Sequence, residues 1–288
     1  MTTATHILGL EEWLGLEERR AYVEGVELRY FTGGEGDPLV LVHGLGGSAA
    51  NWVELLAAAA GRFRVLVPDL PGHGGSGRAR RGSGMSQFAD IVAGLIERED
   101  AAPALVAGHS LGGLVALRLA HRRPELVRAL LLAAPAGIAT STRAVQRVVT
   151  LVGLIRPGRW VAPFRHRYSE RVWYRRALFQ RWFVADPLAF SPRATLGFLE
   201  GPLEHVDTRT AARAMLADDP RVDLEHIRCP AIVLWGARDP QLPLDDAFEY
   251  ARRLRAQLRV VADCGHLVIG ERADACLDAL DSLAESAP

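Results

Sequence analysis

Lysine is absent from this sequence: all 34 basic residues are arginine, set against 34 acidic ones for a formal net charge of zero. Without an amine side chain, a P-loop phosphate cradle, a Schiff base and a Ser–Lys dyad are all excluded. The charge balance gives no whole-molecule pull towards nucleic acid or an anionic membrane. Cysteine is scarce too. Cys229, Cys264 and Cys276 form no Cys-x-x-Cys and no Cys/His zinc spacing, which argues against a disulfide framework or a metal site and suits a reducing compartment. No run of about twenty apolar residues occurs. The start lacks the basic-then-apolar order of a signal peptide, and Glu11 and Glu12 arrive early. These absences predict a soluble, cytoplasmic protein that needs no metal and no organic cofactor.

What is present is a core. At 288 residues and 49% hydrophobic, the chain can bury one large α/β unit, with room for an insertion. Leu10 to Arg20 reads as a short helix, followed by a hairpin, Tyr22–Val26 and Leu28–Phe31, turning near Gly25. Three apolar strands then each run into a suggestive loop. Leu39–Val42 leads into His43-Gly44-Leu45-Gly46, Val65–Val67 into Asp69–Ser76, and Leu105–Ala107 into Gly108-His109-Ser110-Leu111-Gly112. Helical patterns over Trp52–Ala60, Gln87–Glu99 and Leu111–Arg122 separate them. Another strand, Ala129–Ala133, stops at Pro135, and the rhythm resumes with strands Ala231–Trp235 and Leu258–Val261 and helices Phe248–Arg255 and Ala273–Leu283. Fully apolar strands alternating with helices predict a mostly parallel central sheet covered on both faces. The stretch between reads as helices rich in Arg and aromatics. The expected organisation is a core of 1–136 and 220–288 with a helical cap or lid inserted at 137–219.

The chemistry lies in the strand-end loops, where parallel sheets gather their binding residues. Strand, Gly-x-Ser-x-Gly, helix is the context of a nucleophile elbow, whose tight turn needs small neighbours. A serine hydroxyl needs a base, and the base an oriented acid. His266, after the last strand, and Asp239, after the preceding one, supply them in the chain order Ser, Asp, His. Gly265 gives His266 room to turn towards the elbow, and Pro240 and Pro243 stiffen the Asp239 loop. The backbone amides of Leu111 and Leu45 are the candidate oxyanion donors. Plainer roles compete: Ser110 as a turn serine, His266 as a surface histidine, Asp239 as a turn residue before Pro240. Asp263 is a rival acid, though close in sequence to His266. His43 reads as a structural support, Cys264 as a small packing residue, and Pro71–Gly77 as a flexible turn rather than a phosphate cradle. The Arg/aromatic stretch Arg159–Phe183 would suit a nucleic-acid patch or a membrane-surface helix, but beside this core it reads as a lid whose aromatic face lines the substrate cavity.

These motifs together resemble the α/β-hydrolase fold superfamily over nearly the whole chain. The resemblance implies a serine hydrolase that cleaves a carboxylic ester or related acyl substrate. Its partner is a small acyl molecule, with no nucleic acid and no integral membrane association; oligomeric state is left open. Dehalogenases and epoxide hydrolases of this fold carry Asp where this chain has Ser110. Hydrolases that cleave carbon–carbon bonds of ring-fission products carry a lid Arg-Trp pair that Arg181-Trp182 resembles. That family often has Trp where this chain has Leu267, and tends to have Asn where it has His109. Candidate substrate contacts are therefore Gly44, His109, Arg181, Trp182 and Leu267, with packing the competing role for His109. The alternatives are a carbon–carbon hydrolase acting on a vinylogous diketone acid, and a ligand receptor that keeps the triad with little turnover.

Overall fold

The computed structural model describes residues 15–141, 158–180 and 182–286. Eight strands form one sheet: β1 (Glu17–Val23), β2 (Val26–Gly33), β3 (Asp37–Val42), β4 (Phe63–Pro68), β5 (Ala104–His109), β6 (Val127–Ala133), β7 (Ala231–Gly236) and β8 (Gln257–Val261). Their order is β1-β2-β4-β3-β5-β6-β7-β8. β1 pairs antiparallel with β2 and β2 with β4, and every other pairing is parallel. The expected α/β architecture is therefore present.

The sequence reading errs at its start. Glu17 to Arg20, expected to be helical, lie in β1, and the earlier part of that stretch falls outside the described residues. Arg19 pairs with Glu17 and Arg20 with Glu18. Residues two apart share one face of a strand, and charges of this kind guard a sheet edge against further pairing. The hairpin closes at Glu24 and Gly25, both at positive φ (47° and 80°), the pair of left-handed residues a tight two-residue turn requires.

Inside the sheet, alternation sends neighbouring side chains to opposite layers. Val40 and Val42 join one buried cluster with the helices Met85–Arg98, Leu111–Arg122 and Leu244–Leu254. Leu39 and Leu41 join the other, with Val53–Ala60 and Ala273–Ser286. Both layers are apolar, which is why the strands read as unbroken hydrophobic runs. Chain order reverses around β3: β4 lies on one side of it and β5 on the other. A crevice opens at such a switch point, beyond the carboxyl ends of the strands.

Between β6 and β7 the described residues contain helical turns and no strand. Short pieces at Gly158–Val161, Arg165–Tyr168 and Val172–Arg175 precede two longer helices, Pro192–Glu204 and Thr208–Ala217. Ser191 and Asp207 cap the longer two by accepting from Ala194 N and from Arg209 and Thr210 N. Among the described residues no helix is long and apolar enough to cross a membrane.

Candidate active site

β5 ends at His109, the helix starts at Leu111, and Ser110 between them has φ 51° and ψ −114°. A non-glycine residue is rarely held at positive φ, so the surroundings must impose it. Ser110 N donates to Ala133 O at 3.0 Å, and Ser110 O accepts from Gly113 N and Ala136 N, both at 3.0 Å. The flanking glycines are obligatory on space alone. A Cβ at Gly108 would lie 2.3 Å from Gly112 O, and one at Gly112 would lie 2.1 Å from Val42 O. Leu111 opens the helix, so its amide has no intrahelical acceptor.

The ends of β7 and β8 bring a carboxylate and an imidazole together. His266 Nδ1–H donates to Asp239 Oδ2 at 2.7 Å, and both side chains are almost wholly buried. Asp239 Oδ1 accepts from Gln241 N (2.7 Å) and Leu242 N (3.0 Å), which fixes the carboxylate within its loop. With Nδ1 protonated, the neutral ring keeps its lone pair at Nε2. The rival acid does not reach the ring: Asp263 is exposed and pairs with Arg238.

His109 joins the two halves. It precedes Ser110 in the chain, its ring lies 5.0 Å from that of His266, and its Nε2–H donates to His266 O at 3.0 Å. Burial, and then the neighbouring His266, hold its pKa down to about 3, so it is a neutral brace. Among the described residues no hydrogen bond runs directly from Ser110 Oγ to the His266 ring. Gly44 packs against the elbow. A Cβ there would meet His109 Nδ1 at 2.9 Å and Ser110 Cβ at 3.3 Å, so only glycine lets the 43–48 loop approach the elbow.

That loop is pinned from several sides. The buried His43 accepts from Leu70 N at Nε2 (2.9 Å) and donates from Nδ1 to Gly44 O (2.8 Å). His205, from the helical segment, donates from Nε2 to Gly46 O (2.8 Å). The 71–77 stretch is not the flexible turn expected. Asp69, fully buried, accepts from Ala49 N, Gly75 N and Arg29 Nε, and Gly72 O accepts from Val206 N and Asp207 N.

One residue of the site escaped the sequence reading. Glu271 is buried; its Oε1 accepts from Ala185 N (2.9 Å) and Asp186 N (2.8 Å), and its Oε2 from Gly265 N (2.8 Å). Burial pushes its carboxyl up, against the pull of those donors. Phe183 O accepts from His266 N (2.7 Å) and Leu267 N (3.2 Å), and Trp182 O accepts from Gln241 Nε2 (3.0 Å). Residues 182–186 thus run against both the His266 loop and the Asp239 loop. They also explain Gly265 differently from the sequence. Its φ is not positive; a Cβ there would lie 2.6 Å from Phe183 O and 2.8 Å from Ala185 N. Glu271 lacked a signal because its partners are distant backbone amides.

The remaining predicted contacts scatter. Leu267 is buried with Phe179, Val184 and Phe190 in a cluster of the helical segment. Arg181 lies outside the described residues, and the Trp182 side chain is exposed. The aromatic face expected to line a cavity is divided: Tyr174, Phe179 and Phe190 are buried in that cluster, whereas Trp160, Phe164 and Trp173 are exposed.

Comparison with known proteins bears on the family and the fold. The sequence pattern of the alpha/beta hydrolase family matches residues 39–279. The chain is 33% identical over 270 residues to the dihydrolipoyllysine-residue acetyltransferase component of an acetoin cleaving system from Pseudomonas putida, spanning 92% of this chain and 69% of that protein. It is 34% identical over 236 residues to a pimeloyl-[acyl-carrier protein] methyl ester esterase from Aromatoleum aromaticum, spanning 79% of this chain and 90% of that one. The crystal structure of a putative lipase from Acinetobacter baumannii superposes with a TM-score of 0.75 at 22% identity, covering 99% and 96% of the two chains. On the extent of that family match, the chain belongs to the alpha/beta hydrolase family.

Proposed function

We propose that this hydrolase cleaves a carboxylic ester, or a related acyl bond, through an acyl-enzyme on Ser110. Ser110 Oγ attacks the carbonyl carbon while His266 Nε2 takes its proton, and Asp239 stabilises the imidazolium. The amides of Leu111 and Leu45 donate to the oxyanion, each worth ~10²–10³ in rate. Collapse breaks the acyl–oxygen bond and the leaving alcohol takes the proton from His266. Water, deprotonated by the same ring, then releases the acid. The direct Ser110–His266 contact forms as substrate binds, since catalytic hydrogen bonds tighten in the Michaelis complex. The segment at 137–219 serves as the lid, and the reaction, on a small acyl molecule in the cytoplasm, calls on no metal or organic cofactor.

The observation that carries this reading is the buried Asp239–His266 bond beside the ring of His109, the residue that precedes a serine held at φ 51°. A series of p-nitrophenyl esters of increasing chain length tests it. Steady multiple turnovers by wild type, lost in Ser110→Ala, are expected. A single burst without turnover points to a receptor, and turnover of a vinylogous diketone acid alone points to carbon–carbon cleavage.

A further inference from the structure

Eleven large hydrophobic side chains are exposed among the described residues, and six of them (Trp160, Phe164, Val172, Trp173, Trp182 and Leu188) fall within 158–188. Trp160 is 76% exposed, Phe164 54% and Trp173 59%. Trp160, Phe164 and Tyr168 lie on successive short helical turns. The Tyr168 ring lies 6.4 Å from Phe164 and 5.4 Å from Trp173. Phe164, Tyr168 and Trp173 therefore form a connected aromatic surface.

Its charge is mostly positive, with Glu170 and Asp186 the exposed acidic residues of 158–188. Arg159, Arg167, Arg171 and Arg176 are exposed in the same stretch, and among the described residues no carboxylate pairs with them. Arg167 lies over the Tyr168 ring at 5.5 Å. Glu170 is the one acidic residue between 158 and 182. The other two arginines of the helical pieces are spent internally, Arg165 on Glu200 and Arg175 on backbone carbonyls.

We propose that this face docks on an anionic lipid–water interface. Trp and Tyr rings favour the headgroup level, where an apolar body and a polar tip are both satisfied. Arginines flanking them add attraction to anionic headgroups while their stems cover apolar surface. Single-stranded nucleic acid fits less well. Bases stack on open ring faces, but Tyr168 is flanked by Phe164, Trp173 and Arg167. A second copy fits less well too, because a two-fold contact opposes the same patch to itself and brings arginines together. The docking rests on the hydrolase reading only for its consequence, that the acyl substrate is a lipid ester taken from the interface.

Vesicle binding tests it without turnover, so its failure is separable from failure of the hydrolase reading. Wild type is mixed with phosphatidylcholine vesicles, with and without phosphatidylglycerol, and bound protein and tryptophan emission are measured. Binding is expected to be roughly tenfold stronger with phosphatidylglycerol, to weaken with salt, and to shift emission to the blue. Trp160→Ser with Trp173→Ser should remove most of the shift and most of the binding. Arg167→Gln with Arg171→Gln should weaken the phosphatidylglycerol preference severalfold. Both pairs should leave turnover of a soluble ester unchanged. Should a variant misfold, quenching of emission by brominated phosphatidylcholine in a Trp13→Phe background stands in, since Trp52 and Trp235 are fully buried. No partitioning of wild type, or full binding by both folded double variants, overturns the proposal. So does retardation of an oligonucleotide without vesicle binding, or a dimer dissolved by the same Trp changes.

Discussion

The sheet and the helical segment between β6 and β7 bury their side chains by different means. Strands β3 to β7 place nearly every residue inside two apolar layers, and their polar demand is met by the ladder. The helical segment has a small aromatic cluster and two buried guanidinium groups. Arg165 donates to Ala162 O and Glu200, and Arg175 to Ser169 O and Pro187 O. A buried charge must be met by specific partners or it costs several kcal/mol. The sheet is thus specified by volume and period, and the segment by individual hydrogen bonds. The candidate active site stands where the two meet. The sheet supplies Ser110, Asp239 and His266, and residues 182–186 of the segment brace the loops that carry the last two.

The largest effect should come from the sheet side of the site. Ser110→Ala is expected to cost about 10⁶ in kcat, and Asp239→Asn about 10⁴, with both variants folded by circular dichroism. Leu131→Ala, in the middle of β6 and fully buried, should lower global stability by about 3 kcal/mol in urea unfolding. Phe179→Ala, in the segment's cluster, should instead raise protease cleavage there while leaving the main urea transition near wild type. If both lower the same transition equally, the two regions form one cooperative unit and the contrast fails.

Glu271→Gln probes the join. An amide cannot accept at both ends, so it must turn an N–H towards either Gly265 N or the pair Ala185 N and Asp186 N. Misplacing His266 in this way should cost about 10² in kcat with a smaller change in KM, and hydrogen exchange at 185 and 186 should rise. An unchanged kcat with altered melting alone would make Glu271 purely structural.

The smallest expected effect is on acid stability. Burial lowers the pKa of His43, His73 and His109 below the ordinary 6.5. The unfolded chain therefore binds protons that the folded chain refuses. Stability from these rings is complete above about pH 6.5 and falls as the pH drops below it, on the order of 1 kcal/mol per pH unit for each ring. His109→Gln should flatten the slope of urea midpoint against pH between about 6 and 4; an unchanged slope would mean that His109 is charged in the fold.

How much of this was legible follows from the same contrast. Strands buried on both faces wrote themselves as apolar runs, and the elbow as Gly-x-Ser-x-Gly between a strand and a helix starting at Leu111, where the structure also starts it. β1 was misread because an edge strand carries charged residues, and Glu-Glu-Arg-Arg holds no apolar period to separate strand from helix. The segment was legible as helical but not in its packing. Which of Trp160, Phe164, Trp173 and Phe179 turn inward depends on partners such as Phe190 and Leu199, far along the chain. What crowds Gly265 was not legible, because residues 183–185 run against it only in the tertiary fold.

The most direct test is covalent. Wild-type protein treated with a fluorophosphonate and digested for peptide mass spectrometry should carry one adduct, on Ser110, with His266→Ala and Asp239→Asn labelled far more slowly. Folded wild type that stays unlabelled, or that carries its adduct on another residue, would contradict the account.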